Sequence, residues 1–251
     1  MIFYTLSGML IAACIFPIAK KTHRLWLIRW WSGRLLAAFN LRVISTGNKP
    51  TDNIEPINAS LVNRSLVNTM FVANHISWVD IHAINSMIPL RFIAKSDIRS
   101  WPVFGYLANK ANVLFIDRSK RQEAARMIDT VVLSLQAGDN VCLFPEGTTT
   151  DGTEIKPFKS SLFEAAIQAN STVFPIAIRY PSPNGMINTG VAYAGETTLL
   201  ESIQQVLLQK SPVVELHFLP PIVLSELSVT VKERRVLCLH IQQLIQNKLG
   251  L

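Results

Sequence analysis

Charged residues are scarce in this chain, and acidic residues are missing from its start. Only 16% of the 251 residues are charged, against roughly 25% in an ordinary soluble domain, whereas 49% are hydrophobic. Residues 1–50 contain no Asp or Glu but hold seven of the 24 Lys and Arg residues, and the remaining 17 bases balance the 17 acids of the rest of the chain. The net charge of +7 therefore belongs to the N-terminus, and the composition is compatible with a membrane-associated protein.

Cysteine is also rare, with three residues that lie far apart among apolar neighbours: Cys14, Cys142 and Cys238. This pattern excludes a disulfide framework and a thiolate metal cluster, and it suits a reducing compartment. The sequence lacks a Gly-x-Ser-x-Gly elbow as well, so a serine nucleophile of that type has no candidate here.

The N-terminal 40 residues resemble a membrane element. Residues 1–19 are uncharged and mostly apolar, and as one helix they would reach about 28 Å, just enough for a hydrocarbon core. Basic residues follow this run instead of preceding it, which is unlike a secretory signal peptide. Tryptophans then alternate with arginines in an arrangement that suits the headgroup level of a bilayer: Arg24, Trp26, Arg29, Trp30, Trp31 and Arg34.

Three structures stay open for this segment: a spanning helix, an interfacial helix, and a buried helix packed on the body of the protein. We expect residues 1–40 to form a membrane-anchoring or interfacial helical segment and residues 41–251 to form the main domain. If the first helix spans, its basic flank places that domain on the cytoplasmic side of the inner or plasma membrane. The apolar run argues against a nucleic-acid-binding arm, so no nucleic-acid partner is expected.

The rest of the chain alternates apolar strand-like runs with helix-like segments. Several runs are continuously apolar, which indicates burial on both faces of a parallel sheet. The predicted fold is therefore α/β, with a largely parallel central sheet flanked by helices, and residues 46–66 are predicted to be a loop. The predicted strands are 41–46, 69–73, 90–94, 112–116, 140–144, 172–178 and 213–219, and the predicted helices are 78–87, 119–137, 158–169, 197–209 and 228–248.

A histidine and an aspartate follow the strand predicted at 69–73. On one regular helix, His75 and Asp80 would point about 140° apart. If His75 lies in the loop after the strand and Asp80 lies in the first turns of the next helix, the carboxylate can hold one imidazole nitrogen and leave the other free. The free nitrogen would then serve as a general base. The alternative is a structural histidine at a helix start with a solvated acid nearby.

Further polar clusters follow other predicted strands, at the sheet edge where function collects in parallel sheets. One is Asp117-Arg118, and another is the loop Pro145–Gly152, which contains Glu146. Glycines and threonines before a helix start can bind an anion, and Arg118 or Lys159 would add positive charge. Each cluster also has an ordinary explanation, as a surface ion pair, a turn or a cap.

Together and in this order, these segments resemble sequence blocks of the glycerolipid acyltransferase family, which includes the 1-acyl-sn-glycerol-3-phosphate acyltransferases. The resemblance covers about residues 40–220. The blocks are Asn74-His75 with Asp80; Lys95 to Asp97, Pro102, Gly105 and Phe115 to Arg118; Phe144 to Thr149 with Pro157 to Lys159; and Val173 to Ile176. One departure concerns the acceptor, because the family's usual arginine after Glu-Gly-Thr is Thr149 here.

The resemblance implies an enzyme of phospholipid biosynthesis whose acyltransferase domain is residues 41–251. This membrane-associated O-acyltransferase would move a fatty acyl group from an acyl thioester to the free hydroxyl of a lysolipid. The expected acceptor is 1-acyl-sn-glycerol-3-phosphate (lysophosphatidic acid), which would give phosphatidic acid. Another lysolipid, such as lyso-ornithine lipid, is the alternative that Thr149 raises. The resemblance also implies that His75 and Asp80 are catalytic, and that the acceptor is bound by Asn74, Arg118, Glu146, Gly147, Thr148 and Lys159.

No Gly-x-Ser-x-Gly elbow occurs and no cysteine lies near His75 in the sequence, so a covalent acyl-enzyme lacks an obvious nucleophile and direct transfer is the simpler mechanism. His75 would take the proton of the acceptor hydroxyl as its oxygen attacks the thioester, and Asp80 would stabilise the imidazolium. The expected partners are membrane lipids and an anionic acyl donor, either acyl-CoA or acyl-ACP, and the scheme needs no cofactor and no metal. Two other classes stay open: a metal-dependent hydrolase using His75, Asp80 and His82, and a non-catalytic membrane-binding protein.

Overall fold

Eight strands form the central sheet of this computed structural model, which describes residues 2–49, 67–117, 121–226 and 233–251. They are β1 (Arg42–Gly47), β2 (Thr69–Ala73), β3 (Arg91–Lys95), β4 (Leu114–Ile116), β5 (Asn140–Leu143), β6 (Thr172–Arg179), β7 (Val213–Phe218) and β8 (Ile222–Val223). Their spatial order is β1-β7-β6-β2-β5-β3-β4, with β8 paired to β6. Strand β2, which leads into the histidine loop, therefore lies at the centre of the sheet.

Most neighbouring strands run parallel. Strand β2 pairs in parallel with β5 and β6, β3 pairs in parallel with β4 and β5, and β1 pairs in parallel with β7. Strand β6 pairs antiparallel with β7 and with β8. All five residues of β2 are buried, as expected of a strand covered on both faces. The α/β architecture with a central sheet flanked by helices is confirmed, and β8 is an addition that two residues could not reveal in the sequence pattern.

Helices pack on both faces of the sheet, where two separate clusters of buried apolar side chains form the core. Helices α2 and α3 contribute to one cluster, and α5, α6 and α8 contribute to the other. The helices are α1 (Ile2–Leu10), α2 (Lys21–Ala38), α3 (Val79–Met87), α4 (Phe104–Lys110), α5 (Arg121–Gln136), α6 (Phe163–Gln168), α7 (Leu199–Leu208) and α8 (Arg234–Leu249).

One predicted helix differs from the structure, and one helix of the structure was not predicted. The helix predicted at 158–169 is a 3-10 turn, Ser160–Leu162, followed by the short helix α6. Helix α4 was not predicted, because Pro102 and Gly105 interrupt any helical pattern around it. The loop predicted at 46–66 and the helix predicted at 228–248 fall partly outside the described residues.

The N-terminal segment folds as a helical hairpin on the body. Helix α1 continues into a π-helical turn, Ile11–Ile15, and the chain then turns back into α2. Helix α2 packs against α3, where Arg29 Nε donates to the Ser86 carbonyl at 3.2 Å. Trp31 Nε1 donates to the Tyr4 carbonyl at 3.0 Å, which ties α2 to α1. Within the four described ranges, none of the helices combines the length and apolarity that a bilayer crossing requires.

An ion-pair network joins the start of α2 to the sheet. The Asp139 carboxylate accepts from Lys21 Nζ at 2.5 Å, from Arg91 at 2.6 Å and from Ser134 Oγ at 2.9 Å. Burial alone would raise the pKa of Asp139, but the bonds from Lys21 and Arg91 outweigh burial and hold this pKa below its usual range. The N-terminal hairpin is thus attached to the body by charge as well as by packing.

Candidate active site

His75 and Asp80 come together as their spacing predicts. His75 lies in the loop after β2, and Asp80 lies in the first turn of α3. His75 Nδ1 is 2.8 Å from Asp80 Oδ2, and because a carboxylate only accepts, Nδ1 donates. Oδ2 also accepts from the backbone N–H groups of Ile76 at 2.7 Å and Ser77 at 2.9 Å. Nδ1 is thereby occupied, and Nε2 is the nitrogen left to meet a substrate.

The other Asp80 oxygen has a partner far away in the sequence. The Tyr180 hydroxyl donates to Asp80 Oδ1 at 2.5 Å. Both side chains are buried, Asp80 completely. Tyr180 follows directly after β6, at the same edge of the sheet as the histidine loop. The dyad of the sequence is therefore a triad of Tyr180, Asp80 and His75 in the structure.

Backbone hydrogen bonds hold the histidine loop on both sides. The His75 N–H donates to Glu146 Oε1 at 2.7 Å, and the His75 carbonyl accepts from Thr150 N–H at 2.9 Å. The Ile76 carbonyl accepts from Tyr193 N–H at 2.9 Å. Two separate segments, the loop Pro145–Gly152 and the segment at Tyr193, therefore fix the backbone of the histidine loop before any substrate binds, which is the preorganisation that a general base needs.

Asn74 was predicted to contact the acceptor, and its side chain is engaged elsewhere. The Asn74 amide donates from Nδ2 to the Ile178 carbonyl at 3.0 Å and accepts on Oδ1 from the Ile178 N–H at 2.7 Å. Asn74 is buried and does not line the cavity described below. These two bonds take the place of the backbone hydrogen bonds that pair β2 with β6 up to Ala73. The role of the Asn74 side chain is therefore structural.

A cavity of about 580 Å³ opens in front of His75. The His75 ring stacks on the Phe144 ring, with centroids 3.9 Å apart and planes 10° apart. Apolar side chains dominate the walls, which come from both the N-terminal hairpin and the body: Ile11, Ala12, Phe16, Leu27, Ile28, Trp31, Leu35, Phe92, Ile93, Trp101, Phe104, Leu107, Val113 and Ile203. Charged side chains on the walls are Lys95, the last residue of β3, and Asp97, two residues later. The site thus combines a fixed base with a long apolar space and a small charged region.

The family model described as Acyltransferase matches residues 52–179, about half of the chain. Its range includes the histidine loop, the Glu146 loop and strands β2 to β6. The chain belongs to the acyltransferase family.

Three similar proteins show which acyltransferases this chain resembles. It is 34% identical over 197 residues to lyso-ornithine lipid O-acyltransferase from Pseudomonas aeruginosa, covering 78% of this chain and 69% of that protein. It is 40% identical over 125 residues to 1-acyl-sn-glycerol-3-phosphate acyltransferase from Neisseria gonorrhoeae, covering 50% of this chain and 49% of that protein. The crystal structure of the 1-acyl-sn-glycerophosphate (LPA) acyltransferase from Thermotoga maritima has the same fold, with a TM-score of 0.61 and 19% identity over 99% of this chain and 94% of that one. This acyltransferase therefore spans about half the length of the Neisseria relative and about two thirds of the Pseudomonas one.

The predicted acceptor-binding residues take different positions in this acyltransferase. Gly147 and Thr148 lie on the cavity wall beside the histidine. Lys159 is not one of the wall residues, and its N–H donates to the Pro145 carbonyl at 3.0 Å at the start of the following turn. Arg118 lies outside the described residues. Gly147 and Thr148 are therefore the described members of the set that an acceptor in the cavity could touch.

Glu146, a further predicted acceptor contact, lies behind the histidine loop instead of on the cavity wall. Its Oε1 accepts from His75 N–H at 2.7 Å, and its Oε2 accepts from Lys156 N–H at 2.9 Å. Burial raises the pKa of Glu146 to about 7, with a smaller contribution from the Asp80 charge, although the two N–H donors oppose the shift. The geometry gives Glu146 a role in holding two loops together.

We expect Glu146→Gln to change the pH dependence of stability. The pKa of Glu146 rises from 4.5 to about 7 on folding, so the folded state binds the proton more tightly than the unfolded state does. The stability from this group is fully present below pH 4.5 and is lost as the pH rises through 7. Between about pH 5 and 8, the wild-type free energy of unfolding should fall relative to that of the variant. Urea unfolding at each pH measures this, with exposed Glu226→Gln as control, and parallel curves for wild type and Glu146→Gln would contradict it.

Thr149 takes the position of the family's usual arginine, and its hydroxyl donates to the Tyr193 carbonyl. Both residues line the cavity. Since the Tyr193 N–H also holds the Ile76 carbonyl, Thr149 ties this wall segment to the histidine loop. A hydroxyl at this point supplies no positive charge to the cavity wall.

The described residues provide no set of metal ligands for the metal-dependent hydrolase considered as an alternative. His82 lies edge-on against Trp31 and Trp78, with ring centroids 5.5 Å and 6.0 Å away. Burial lowers the pKa of His82 to about 4, and its Nδ1 is buried without a hydrogen-bond partner. No group of three His, Cys, Asp or Glu side chains in the described part of the chain could hold a metal ion. His82 is a partly buried histidine on the cavity wall, and burial of its ring favours the neutral form.

Sequence reasoning missed two residues of this site, Lys95 and Tyr180. Lys95 is the last residue of β3 and Tyr180 directly follows β6, so both lie at the same edge of the sheet as the histidine loop. The rule that function collects at the carboxyl ends of parallel strands selects both positions. Lys95 lies within one of the family's sequence blocks, which implies no role for it, and Tyr180 belongs to none of the blocks.

Proposed function

We propose that this protein transfers a fatty acyl group from an acyl thioester to the free hydroxyl of a lysolipid, with His75 as general base. The observation that carries the proposal is the position of His75, on the wall of an apolar cavity with Nδ1 held by the buried Asp80. A base with one nitrogen fixed and the other directed to substrate is the arrangement that hydroxyl activation requires.

The proposed reaction needs no covalent enzyme intermediate. His75 Nε2 takes the proton of the acceptor hydroxyl while that oxygen attacks the thioester carbonyl carbon. The carbon–sulfur bond then breaks, and the departing thiolate takes the proton back from the imidazolium. The products are an ester and a free thiol, and His75 returns to its neutral form. Asp80 stabilises the imidazolium during the transfer, and neither a cofactor nor a metal enters the scheme.

The cavity provides the apolar environment for a fatty chain. Its volume of about 580 Å³ lies within the range of roughly 300–1,000 Å³ for small-molecule sites. Its apolar walls favour hydrocarbon because burial of apolar surface yields roughly 25 cal/mol per Å². Gly147 and Thr148, next to His75, are proposed to contact the acceptor near its reacting hydroxyl.

The acceptor headgroup is proposed to bind near Lys95. Lys95 is the cationic side chain that the described residues contribute to the cavity wall, and an ammonium group suits a phosphate or a carboxylate. Arg118 and Lys159 remain proposed phosphate contacts from the sequence. Lysophosphatidic acid is the first candidate acceptor, and phosphatidic acid is the corresponding product.

Thr149 favours lyso-ornithine lipid as a second candidate. Its hydroxyl, which bonds the Tyr193 carbonyl, replaces a guanidinium that would otherwise face a phosphate dianion. The Pseudomonas relative, which matches over 78% of this chain, carries the name of that acyltransferase. A headgroup with less negative charge than a phosphate dianion needs fewer cations on the wall.

A panel of acceptors tests the proposed function. Membranes containing the protein are given labelled acyl-CoA or acyl-ACP together with lysophosphatidic acid, lyso-ornithine lipid or other lysolipids. The expected result is one labelled diacyl product, and Thr149→Arg should shift the kcat/KM ratio toward lysophosphatidic acid because it adds a cation beside the headgroup. Absence of product with every acceptor and both donors, from folded protein, would refute acyl transfer.

The N-terminal hairpin is proposed to hold the protein on a bilayer surface, with the catalytic domain on the cytoplasmic side of the inner or plasma membrane. Trp26 and Trp30 stack on the outside of α2, with ring centroids 6.4 Å apart, and are 55% and 45% exposed. Ile18 is 85% exposed in the turn before α2. Exposed tryptophans and apolar side chains among basic residues suit the interface of an anionic membrane.

We expect a double change, Trp26→Ala with Trp30→Ala, to weaken binding to anionic vesicles at least tenfold. The reason is the loss of two large amphipathic rings that would lie at the headgroup level. Flotation with phosphatidylglycerol-containing vesicles measures the bound fraction. Leu133→Ala, at an exposed position of α5, is the control, and equal losses in both proteins would argue against an interfacial α2.

A further inference from the structure

We infer that Tyr180 is a positioning residue for the transfer reaction: its hydroxyl holds the Asp80 carboxylate in the orientation that fixes His75. The inference rests on the proposed role of His75 as general base. It assigns a function to a residue that lies 100 positions away from its partner in the sequence and outside every sequence block discussed above.

The two oxygens of the Asp80 carboxylate have separate partners. Oδ2 accepts three N–H groups, from His75 Nδ1 and from the backbone of Ile76 and Ser77. Oδ1 accepts the Tyr180 hydroxyl at 2.5 Å, the short distance typical of a hydroxyl donating to a charged carboxylate. Four donors therefore converge on one buried carboxylate, and Tyr180 is the donor that does not belong to the histidine loop.

Tyr180 is itself attached to a rigid part of the sheet. The ring is 1% exposed, and the Tyr180 carbonyl accepts from the Asn188 N–H at 2.8 Å. Two residues earlier, the Ile178 backbone exchanges two hydrogen bonds with Asn74. The end of the central strand β6 thus holds both ends of the histidine loop, Asn74 at its start and Asp80 at its finish.

The direction of the Tyr180 bond follows from the charges. A carboxylate has no proton to give, so the phenol donates. Burial, and then the Asp80 charge, raise the pKa of Tyr180 well above its ordinary value, and the hydroxyl keeps its proton throughout the working range. Without it, Oδ1 would be a buried charged oxygen with no donor. The carboxylate would then be free to rotate away from the geometry that orients the imidazole.

Tyr180→Phe tests the inference, because it removes the hydroxyl and keeps the ring. We expect kcat to fall about 10- to 100-fold, the range for losing a hydrogen bond to a charged group that orients a catalytic side chain. The KM values of acceptor and donor should stay within about twofold, because Tyr180 does not line the cavity. Tyr106→Phe, at a half-exposed ring on α4, is the matched control and should leave kcat unchanged.

A double variant separates positioning from a general effect on stability. If Tyr180 acts through Asp80, adding Tyr180→Phe to Asp80→Ala should reduce the residual kcat no further, whereas independent effects would multiply. Losses that multiply, or a wild-type kcat for Tyr180→Phe, would overturn the inference.

His75→Ala in the same membranes tests the proposed function separately. Activity without His75 refutes general-base catalysis. An inactive His75→Ala beside a fully active Tyr180→Phe refutes the role of Tyr180 alone. Limited proteolysis at the assay temperature confirms the folded fraction of each variant, and kcat is normalised to it.

Discussion

We expect His75→Ala to abolish acyl transfer and to leave the protein folded and membrane-bound. Loss of the base alone should reduce kcat by roughly 10²–10⁴-fold. Asp80 then has no imidazolium left to stabilise. The assay compares product formation from labelled acyl thioester in membranes with equal amounts of wild-type and variant protein. The expected product rate of the variant lies at the background of membranes without the protein.

The structure explains why stability should survive this change. The backbone bonds of His75 to Glu146 and Thr150 do not involve the imidazole, and the ring is 18% exposed. The variant loses the stacking on Phe144, worth about 1 kcal/mol, and one hydrogen bond to Asp80, worth roughly 1.5–3 kcal/mol, but three other donors still hold that carboxylate. His240→Ala, at an exposed position of α8, is the control for histidine removal. A large drop in thermal stability of His75→Ala would instead identify His75 as a structural histidine.

Asp80→Asn should lower kcat by as much as about 10⁴-fold while the protein remains folded. The amide keeps the shape of the carboxylate but removes its charge, so the imidazolium formed during transfer is no longer stabilised. One amide oxygen can still accept the N–H groups of His75, Ile76 and Ser77. The variant therefore keeps the conformation of the histidine loop but loses the negative charge that stabilises the imidazolium.

Steady-state kinetics with both substrates measures the effect of Asp80→Asn, and we expect kcat to change more than KM. Asp139→Asn is a matched control, because this carboxylate also accepts several donors but lies in the network with Lys21 and Arg91. It should lower stability without changing kcat. Near wild-type activity in Asp80→Asn would show that His75 needs no charged partner.

The sheet was predictable because its strands are short apolar runs between polar loops. Strand β2 begins and ends where the sequence pattern indicated, and six other strands lie within two residues of their predicted bounds. Helix α4 was missed, since seven residues after a proline carry too little periodicity to be recognised. The π-helical turn at Ile11–Ile15 was missed because local geometry of this kind has no signature in hydropathy.

The contact between His75 and Asp80, the proposed catalytic pair, was predictable from local spacing, whereas the residues that hold this pair in place were not. His75 and Asp80 are five residues apart, and a strand followed by a helix leaves few ways to arrange them. Asn74 and Glu146 lie beside the same loop, but the sequence does not show on which side of the backbone a side chain points. Their amide and carboxylate groups face the protein interior and bind backbone. The Tyr180 contact depends on the order of strands in the sheet, which local patterns do not encode.

Helix α2 has two surfaces that face different surroundings. Leu27, Ile28 and Trp31 line the cavity, while Trp26 and Trp30 face outward. Under the proposed function, inward substitutions would alter which fatty chains are accepted, and outward substitutions would alter which bilayers attract the protein. Relatives could therefore change which fatty chains they accept without changing which membranes they bind, or the reverse, although a single helix carries both surfaces.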